Sequence, residues 1–375
     1  MEKKEKVKRV KVEDVDKVME LLQKKFGDET IRHGITTNLK CEVISTGIPG
    51  FDIATGVGGF PRGRIIEIFG PESSGKTTLA LTACARAQSM GGKAAYIDVE
   101  NAMDPSYAEK IGVNIKELYF SQPDSGEQAM TTCEKMLNTN KIDVIVVDSV
   151  AALTPQAELD GEIGDKQMGL LAQLLGKALR MMKSDVRKTK TCLIFINQLR
   201  DKMGMVMPGQ SPDVTPGGRA LKFYASQRID IRRTGAKREG IANVGNMTKI
   251  KFVKNKVAPP FKETEVEIIF GKGISAVHST VDTGLQYKVI GRSSSVFNYG
   301  DQKFAGVEKM VKWLLENPLI LKEVNEKIMA KAFESVDFIE PTGEVGEEEE
   351  EAEEVEETAD VEIETAPAKP KTRFE

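Results

Sequence analysis

The feature that most constrains this chain is the stretch from residue 64 to residue 89, where an apolar run leads through a loop into a helix pattern. RIIEIF at 64–69 is typical of a buried strand, and GPESSGKTT at 70–78 has the G-x-x-x-x-G-K-[ST] spacing. The Ala- and Leu-rich segment 79–89 favours a helix. In this setting backbone N–H groups and the positive end of a helix face a bound phosphate. The sequence therefore predicts an ATP site.

Two residues of the loop have defined chemical roles in this arrangement. Lys76 is placed to bridge the phosphates, and the hydroxyl of Thr77 is placed to hold Mg²⁺. The predicted cofactors are therefore ATP and Mg²⁺. The predicted nucleotide-binding residues of the loop are Gly70, Pro71, Glu72, Ser73, Ser74, Gly75, Lys76, Thr77 and Thr78.

Strand patterns alternate with helix patterns after the loop. The apolar or β-branched segments are residues 94–100, 118–120, 143–149 and 192–197. This alternation predicts an α/β fold with right-handed crossovers and a mostly parallel, twisted sheet. Three further segments, 228–232, 249–254 and 265–269, alternate polar with apolar residues. We expect these three to extend the sheet in antiparallel fashion with one face in water.

Polar side chains follow the predicted parallel strands at the end where ligand groups of such sheets collect. Asp148 follows a buried run and is predicted to orient Mg²⁺ through water. Glu100 is the carboxylate best placed to activate an attacking water, and an ordinary glutamate at a strand end is the alternative. Gln198 is predicted to hydrogen-bond the γ-phosphate and to report its loss.

Two segments rich in Gly, Pro and small polar residues lie close to these positions in the chain. They are residues 160–169 and 201–218, and the second begins three residues after Gln198. Loops of about 18 residues are uncommon in compact domains and are usually functional or disordered. A loop tied to a γ-phosphate sensor is therefore predicted to be an effector site. Lys254 and Lys256 lie at a strand end, where a solvated basic edge is the simplest interpretation.

Charge divides the 375-residue chain into a basic body and an acidic tail. Residues 340–375 contain 15 acidic and three basic residues, a charge of −12. The rest of the chain contains 42 acidic and 50 basic residues, and its charge of +8 permits contact with a polyanion. A tail of this composition is predicted to be disordered.

The N-terminal part combines a basic segment with an amphipathic helix pattern, in which apolar residues recur at three- and four-residue steps from residue 15 to residue 26. The apolar face is expected either to pack on its own chain or to dock on a neighbouring subunit. No run of 18 uncharged apolar residues occurs, and the N-terminus lacks the apolar stretch of a signal peptide. We therefore expect a cytoplasmic protein with no membrane contact.

Eight segments, in their order along the chain, closely resemble the bacterial RecA recombinase family. They are GPESSGKTT at 70–78, YIDVENAMDP at 96–105, SQPDSGEQA at 121–129, VIVVDSVAALTP at 144–155, GEIGD at 161–165, LIFINQLR at 193–200, GGRALKFYAS at 217–226 and VKNK at 253–256. The resemblance implies a RecA-type P-loop ATPase core. It also implies a homo-oligomeric helical filament on single-stranded DNA, which pairs that strand with homologous duplex DNA and exchanges strands in recombination and repair.

The resemblance assigns roles to individual residues. Asp104 and Tyr107 match adenine contacts. Lys254 and Lys256 match a pair that reaches the γ-phosphate of the adjacent subunit, which replaces the interpretation as a solvated edge. The predicted catalytic residues are Glu100, Lys76, Gln198, Lys254 and Lys256.

The resemblance also makes the two loops DNA-binding loops and implies a self-cleaving repressor of the SOS response as a partner. The chain departs from the family pattern at Gln173, where the family often has an arginine, and at Met207, where it often has an aromatic residue. At Phe270 the family often has a tyrosine near the nucleotide. The predicted DNA contacts are Met168, Gly169, Arg180, Arg200, Gly217 and Gly218.

The predicted organisation has four parts. Residues 1–37 form a basic segment with an oligomerisation helix, and residues 38–273 form the ATPase core. Residues 274–335 form a small α/β domain, and residues 336–375 form the disordered acidic tail. A hexameric helicase-type ATPase with the same core is the alternative, and it predicts extra domains or a duplicated core. A small-molecule kinase is a third reading, which leaves the two effector loops unexplained.

Overall fold

The structure is a computed structural model, and it describes residues 15–26, 41–162, 169–201 and 213–334. Helix α1 (Val15–Phe26) belongs to one compact unit, and the other described residues belong to a second. The predicted amphipathic helix is confirmed, and Lys24 and Lys25 in its last turn suit the negative end of the helix dipole. The predicted acidic tail and the central parts of both predicted loops lie outside the described residues.

The second unit contains sixteen strands and ten α-helices within the residues described. The strands are β1 (Val43–Ile44), β2 (Phe60–Pro61), β3 (Ile65–Gly70), β4 (Ala94–Asp98), β5 (Tyr119–Ser121), β6 (Val144–Asp148), β7 (Cys192–Gln198), β8 (Arg200–Asp201), β9 (Asp213–Val214), β10 (Gln227–Glu239), β11 (Ala242–Asn255), β12 (Glu263–Ile269), β13 (Gly273–Ile274), β14 (Gly291–Ser293), β15 (Val296–Tyr299) and β16 (Gln302–Ala305). The helices are α2 (Pro49–Ala54), α3 (Lys76–Ser89), α4 (Pro105–Ile111), α5 (Gly126–Asn138), α6 (Gln156–Leu159), α7 (Leu170–Thr189), α8 (Ala220–Tyr224), α9 (Ala276–Gln286), α10 (Val307–Glu316) and α11 (Pro318–Glu334). None of the described helices is both long and apolar enough to span a membrane.

Nine of the strands form the central sheet, in the order β13-β12-β11-β10-β3-β7-β6-β4-β5. All neighbours from β10 to β5 are parallel. Strands β3, β4, β6 and β7 are buried almost throughout, which is why their sequences are mostly apolar. The predicted α/β fold with a mostly parallel sheet is confirmed.

Strand β10 runs in a direction that differs from the expectation. It pairs in parallel with β3 along residues 227–230, and the reversal comes one strand later, where β10 and β11 form a long antiparallel hairpin. Strand β12 then pairs antiparallel with β11. The prediction of three antiparallel strands was therefore wrong for β10. Alternation of polar and apolar residues reports one wet face, whereas strand direction depends on the connection that precedes the strand.

Helices cover both faces of the parallel half of the sheet. Alternate residues of β7 enter different cores: Ile194 packs in the core that includes α3, and Phe195 packs in the core under α5 and α7. This alternation follows from the two-residue period of side chains along a strand. The two cores fix the strand ends, and with them the residues that follow each strand.

Residues 276–334, together with Ile53 of α2, form a third apolar cluster. Val281 of α9, Leu314 of α10 and Ile328 of α11 are buried there against Phe297 of β15. Strands β14, β15 and β16 form a separate antiparallel sheet beside these helices. The small C-terminal part is thus α/β as predicted, and its boundary at residue 274 stays a prediction.

Candidate functional site

Four parallel strands end at one edge of the sheet and bring together three of the five predicted catalytic residues, Lys76, Glu100 and Gln198, with Asp148. Strand β3 runs into the phosphate loop, and β4 ends two residues before Glu100. Strands β6 and β7 end at Asp148 and Gln198. Since β7 lies between β3 and β6, and β4 is the next strand, the four ends form one continuous rim.

Two glycines let the phosphate loop lie close to neighbouring strands. A Cβ atom at Gly70 would lie 2.1 Å from the carbonyl oxygen of Ile231. At Gly75, which has a φ of +97° and caps α3, a Cβ would lie 2.3 Å from Cδ1 of Ile268. A larger residue at Gly70 would meet the backbone of β10, and the left-handed φ at Gly75 disfavours any residue other than glycine.

Lys76 is buried at the centre of the loop. Its Nζ donates hydrogen bonds to the carbonyl oxygens of Gly70 at 3.1 Å and Pro71 at 2.7 Å. Burial lowers the pKa of Lys76, and the nearby carboxylates of Asp148 and Glu100 oppose that effect. The loop thus holds the Lys76 ammonium group at the place where a phosphate is predicted to bind.

Asp148 and Thr77 place two oxygen atoms side by side next to Lys76. The Thr77 hydroxyl donates to Asp148 Oδ2 at 2.9 Å, and the Tyr96 hydroxyl donates to the same oxygen at 2.6 Å. Burial raises the pKa of Asp148, and these two hydrogen bonds oppose the rise. Among the residues described, no group of three or more His, Cys, Asp or Glu side chains is arranged to hold a metal. A hydroxyl beside one carboxylate fits Mg²⁺, which is usually held by one or two carboxylates, phosphates and water.

Glu100 is held by residues on both sides of it. Ser149 Oγ and Gln198 Nε2 both donate to Glu100 Oε1, the second at 2.8 Å. The backbone N–H of Glu100 donates to the carbonyl oxygen of Asp148 at 3.2 Å. The predicted base, Glu100, is therefore hydrogen-bonded directly to the predicted γ-phosphate sensor, Gln198.

A cavity of about 220 Å³ adjoins the loop. Two of its lining residues carry a buried polar atom without a hydrogen-bond partner within the protein, Ser74 Oγ and Asn246 Oδ1, and such atoms are uncommon in folded proteins. Tyr107 forms part of the wall, and its hydroxyl is 2.8 Å from Thr78 Oγ1. The lining residues are Ser73, Ser74, Gly75, Lys76, Thr77, Thr78, Tyr107, Asn246, Ile268 and Phe270.

Asp104 has a structural role that the sequence did not suggest. It caps α4, and its carboxylate accepts a hydrogen bond from the Ser106 backbone N–H at 2.8 Å. The side chain is exposed at the helix start. Its contact with adenine stays a prediction.

Three of the predicted DNA-contact residues gather around the start of α7. Gly169 caps this helix with a φ of +89°. Cβ atoms at Gly217 and Gly218 would lie 2.5 Å from Leu175 Cδ1 and 2.9 Å from Ala172 Cβ, so the end of the second loop rests on the first turns of α7. Both predicted loops therefore adjoin the same helix end.

The remaining predicted DNA contacts are more widely spaced. Arg180 is exposed on α7, 11 residues beyond Gly169, which is roughly 16 Å along a helix. Arg200 is exposed and pairs with Val214 where β8 and β9 close the base of the second loop. Met168 lies outside the described residues.

Lys254 and Lys256 contact their own subunit in this structure. Lys254 Nζ donates to the carbonyl oxygens of Lys222 at 2.6 Å and Phe223 at 3.1 Å, and Lys256 Nζ donates to Phe223 O at 3.3 Å. These carbonyls belong to the last turn of α8, which follows the second loop. The cross-subunit role stays a prediction.

Several polar residues that support the site were missed in the sequence. Tyr96 and Ser149 hold the two carboxylates, and Asp98 accepts hydrogen bonds from the backbone N–H groups of Ala102 and Met103 at 3.3 and 3.2 Å. All three of these polar residues are buried. The available signal was a polar side chain within or beside an apolar strand, because a buried polar group requires a partner.

Comparison with known proteins gives matches along most of the chain. Residues 13–275 match the RecA N-terminal domain family, and residues 279–332 match the RecA C-terminal domain family. A Protein RecA from Rubrobacter xylanophilus is 51% identical over 322 residues, which cover 85% of this chain and 92% of the relative. Those from Levilactobacillus brevis and Xanthomonas campestris pv. campestris are each 48% identical, over 84% and 83% of this chain and 84% and 91% of the relative.

Proposed function

The chain belongs to the RecA family of recombinases, which bind ATP and DNA, and from that premise we propose that it is a single-stranded-DNA-dependent ATPase. The observation that carries this proposal is the convergence of Lys76, Glu100 and Gln198 at one edge of the sheet, beside the start of the second loop. The helicase-type alternative is not favoured, because the two RecA domain families together account for residues 13–275 and 279–332.

We propose that the phosphate loop and Lys76 hold the ATP phosphates, while Thr77 and Asp148 hold Mg²⁺. When bound, Mg²⁺ neutralises charge on the β- and γ-phosphates. Asp148 is suited to this role only when ionised, and its hydrogen bonds from Tyr96 and Thr77 favour that form. The cavity beside Tyr107 is the proposed place of the base.

Glu100 is the proposed acceptor of the proton from the attacking water. In the present arrangement two donors share its Oε1 atom. A γ-phosphate oxygen that accepts a hydrogen bond from Gln198 would draw that amide away and leave Ser149 as the donor. Glu100 Oε1 then accepts a hydrogen bond from one donor fewer. This exchange links the presence of ATP to the start of the second loop.

The proposed DNA site consists of the two loops that meet at α7. Filament formation, general to the family, places Lys254 and Lys256 against the nucleotide of the next subunit, and α1 is the proposed docking helix.

We further propose that the protein acts in the cytoplasm and that its filament stimulates a self-cleaving SOS repressor. The support for the DNA-binding and cross-subunit roles is the match of the motifs at residues 161–165, 217–226 and 253–256 to the family.

The deciding experiment measures ATP hydrolysis with and without single-stranded DNA, in Mg²⁺ and in excess chelator. The proposal expects stimulation by single-stranded DNA that requires Mg²⁺. A duplex of equal nucleotide concentration serves as the control and should stimulate less. Hydrolysis that proceeds at one rate under all DNA conditions would contradict DNA dependence, and hydrolysis in chelator would contradict the Mg²⁺ site.

A further inference from the structure

We propose that Glu67 is a positioning residue that couples the end of the second loop to the lysine-bearing strand β11. Glu67 lies in β3, three residues before the phosphate loop, and its side chain is 0% exposed. Ile65, which lies on the same face of β3 as Glu67, packs in the apolar core under α5 and α7. A carboxylate in such surroundings is costly unless partners satisfy it, so the identity of its partners indicates what it holds in place.

The first partner of Glu67 is Asn197, at the end of β7. Asn197 Nδ2 donates to Glu67 Oε1 at 3.0 Å and also to the carbonyl oxygen of Pro216 at 3.2 Å. Asn197 Oδ1 accepts from the backbone N–H of Gln198 at 3.0 Å. One buried amide thus joins the γ-phosphate sensor to the residue directly before Gly217, and Glu67 fixes the orientation of that amide.

The second partner is Arg228, at the start of β10. Arg228 Nε donates to Glu67 Oε2 at 2.5 Å, and its guanidinium lies 4.5 Å from the centre of the Phe69 ring. Arg228 faces Lys254 in the pairing of β10 with β11. One carboxylate oxygen of Glu67 therefore binds Asn197, next to the end of the second loop, and the other binds Arg228, next to Lys254.

Glu67 also acts on Lys254 through its charge. Burial is the main cause that lowers the pKa of Lys254, and Lys256 and Arg228 lower it further. The negative charge of Glu67 opposes these effects. Glu67 thereby favours the charged form of Lys254, which any role at a phosphate requires.

A displacement of either Asn197 or Arg228 changes the hydrogen bonds to the Glu67 carboxylate. If DNA moves the end of the second loop, the Pro216 carbonyl moves relative to Asn197. The hydrogen bonds from Asn197 and Arg228 to Glu67 then change. This inference rests on the proposed function, because it assumes that DNA engages the second loop and that the lysines act on a neighbouring nucleotide. The competing account is that Glu67 only neutralises a half-buried arginine.

The variant Glu67→Gln separates these accounts, because its carbonyl oxygen still accepts from Asn197 while its amide cannot accept from Arg228. We expect the Kd for ATP without DNA to change less than about twofold, while stimulation by single-stranded DNA falls about tenfold, or ~1.4 kcal/mol in the barrier. Glu263→Gln is the matched control, since Glu263 forms an ion pair with Lys249 in which both side chains are 45% exposed. It should retain wild-type stimulation.

The double variant Glu67→Gln/Arg228→Met removes the unpaired guanidinium and tests the role of charge alone. Its Tm should return toward the wild-type value, while DNA stimulation should stay lost. Recovery of stimulation in the double variant, or full stimulation in Glu67→Gln, would overturn the positioning role. If the single variant does not fold, the double variant provides the same comparison. A wild-type protein that DNA does not stimulate would refute the proposed function and this inference together, whereas a stimulated wild type beside an equally stimulated variant refutes only the inference.

Discussion

The parallel and antiparallel halves of the central sheet differ in how they hold their charged groups. In the parallel half, β3, β4, β6 and β7 are buried on both faces, and the proposed catalytic side chains appear where the strands end. Supporting groups such as Glu67 and Tyr96 lie inside the strands. In the antiparallel half, β10, β11 and β12 carry charged residues along their length on one face, as the ion pair of Lys249 with Glu263 shows. The parallel half thus fixes a small number of groups, and the antiparallel half presents a charged surface.

The parallel half holds the groups proposed to hydrolyse ATP within one subunit, and the antiparallel half holds the lysines proposed to contact a neighbouring subunit. Lys76 and Asp148 are buried and held by several hydrogen bonds. Lys254 and Lys256 are half-buried to exposed, and carbonyl groups of a short helix hold them. Changes to Lys76 or Glu100 should therefore lower hydrolysis itself, whereas changes to Lys254 and Lys256 should alter its dependence on DNA and on neighbouring subunits.

The largest effect is expected for Lys76→Ala. Removing the cation that the loop encloses should lower ATP hydrolysis by about 10³-fold, with and without DNA, because its charge opposes that of the transferred phosphate. Steady-state ATPase assays measure this, and Lys110→Ala on the exposed face of α4 is the control. Wild-type turnover in Lys76→Ala would contradict the proposed phosphate loop.

Glu100→Gln should lower hydrolysis by about 10²-fold while ATP binding persists, as expected for loss of a general base. The amide preserves the size of the side chain and still accepts hydrogen bonds from Ser149 and Gln198. Single-turnover hydrolysis and equilibrium binding of ATP separate the two quantities, with Glu109→Gln as the control. Parallel losses of binding and turnover would instead indicate a structural role for Glu100.

Lys254→Ala combined with Lys256→Ala tests the antiparallel half. ATP binding by isolated subunits should persist, while the DNA-stimulated rate should fall about tenfold, which is ~1.4 kcal/mol in the barrier. The pair Lys249→Ala with Lys251→Ala on the same strand controls for the loss of positive charge. If the first pair keeps full stimulation, the lysines have no cross-subunit role, and the division between the two halves fails.

The smallest effect is expected for Tyr96→Phe. The Tyr96 hydroxyl opposes the rise that burial causes in the pKa of Asp148, so its loss should raise that pKa further. Since Asp148 must be ionised to hold a cation, the acidic limb of the ATPase pH profile should move to higher pH. Tyr119→Phe, on the exposed edge strand β5, should leave the profile unchanged. A Tyr96→Phe profile that superimposes on wild type would show that Asp148 does not limit activity.

The sequence predicted the elements of the parallel half closely because burial on both faces leaves a simple signature. Strands β3, β6 and β7 are mostly apolar, and Asp148 and Gln198 stand at the ends of two of them. The antiparallel half was predicted less well. Its alternating pattern identified the strands, but the direction of β10 depends on how the chain enters the sheet after α8.

By itself the sequence determined the phosphate loop, the order of strands and helices and the strand-end positions of Glu100, Asp148 and Gln198, because these depend on neighbours in the chain. Only the tertiary structure decided which distant side chains share a hydrogen bond. The donors to Glu100 come from two other strand ends, and Glu67 meets Asn197 and Arg228, which lie 130 and 161 residues away. A charged residue within IIEIF announces that a partner is needed, but the pairing of β3 with β7 and β10 selects the partner. That selection depends on strand order in space, which local sequence patterns do not encode.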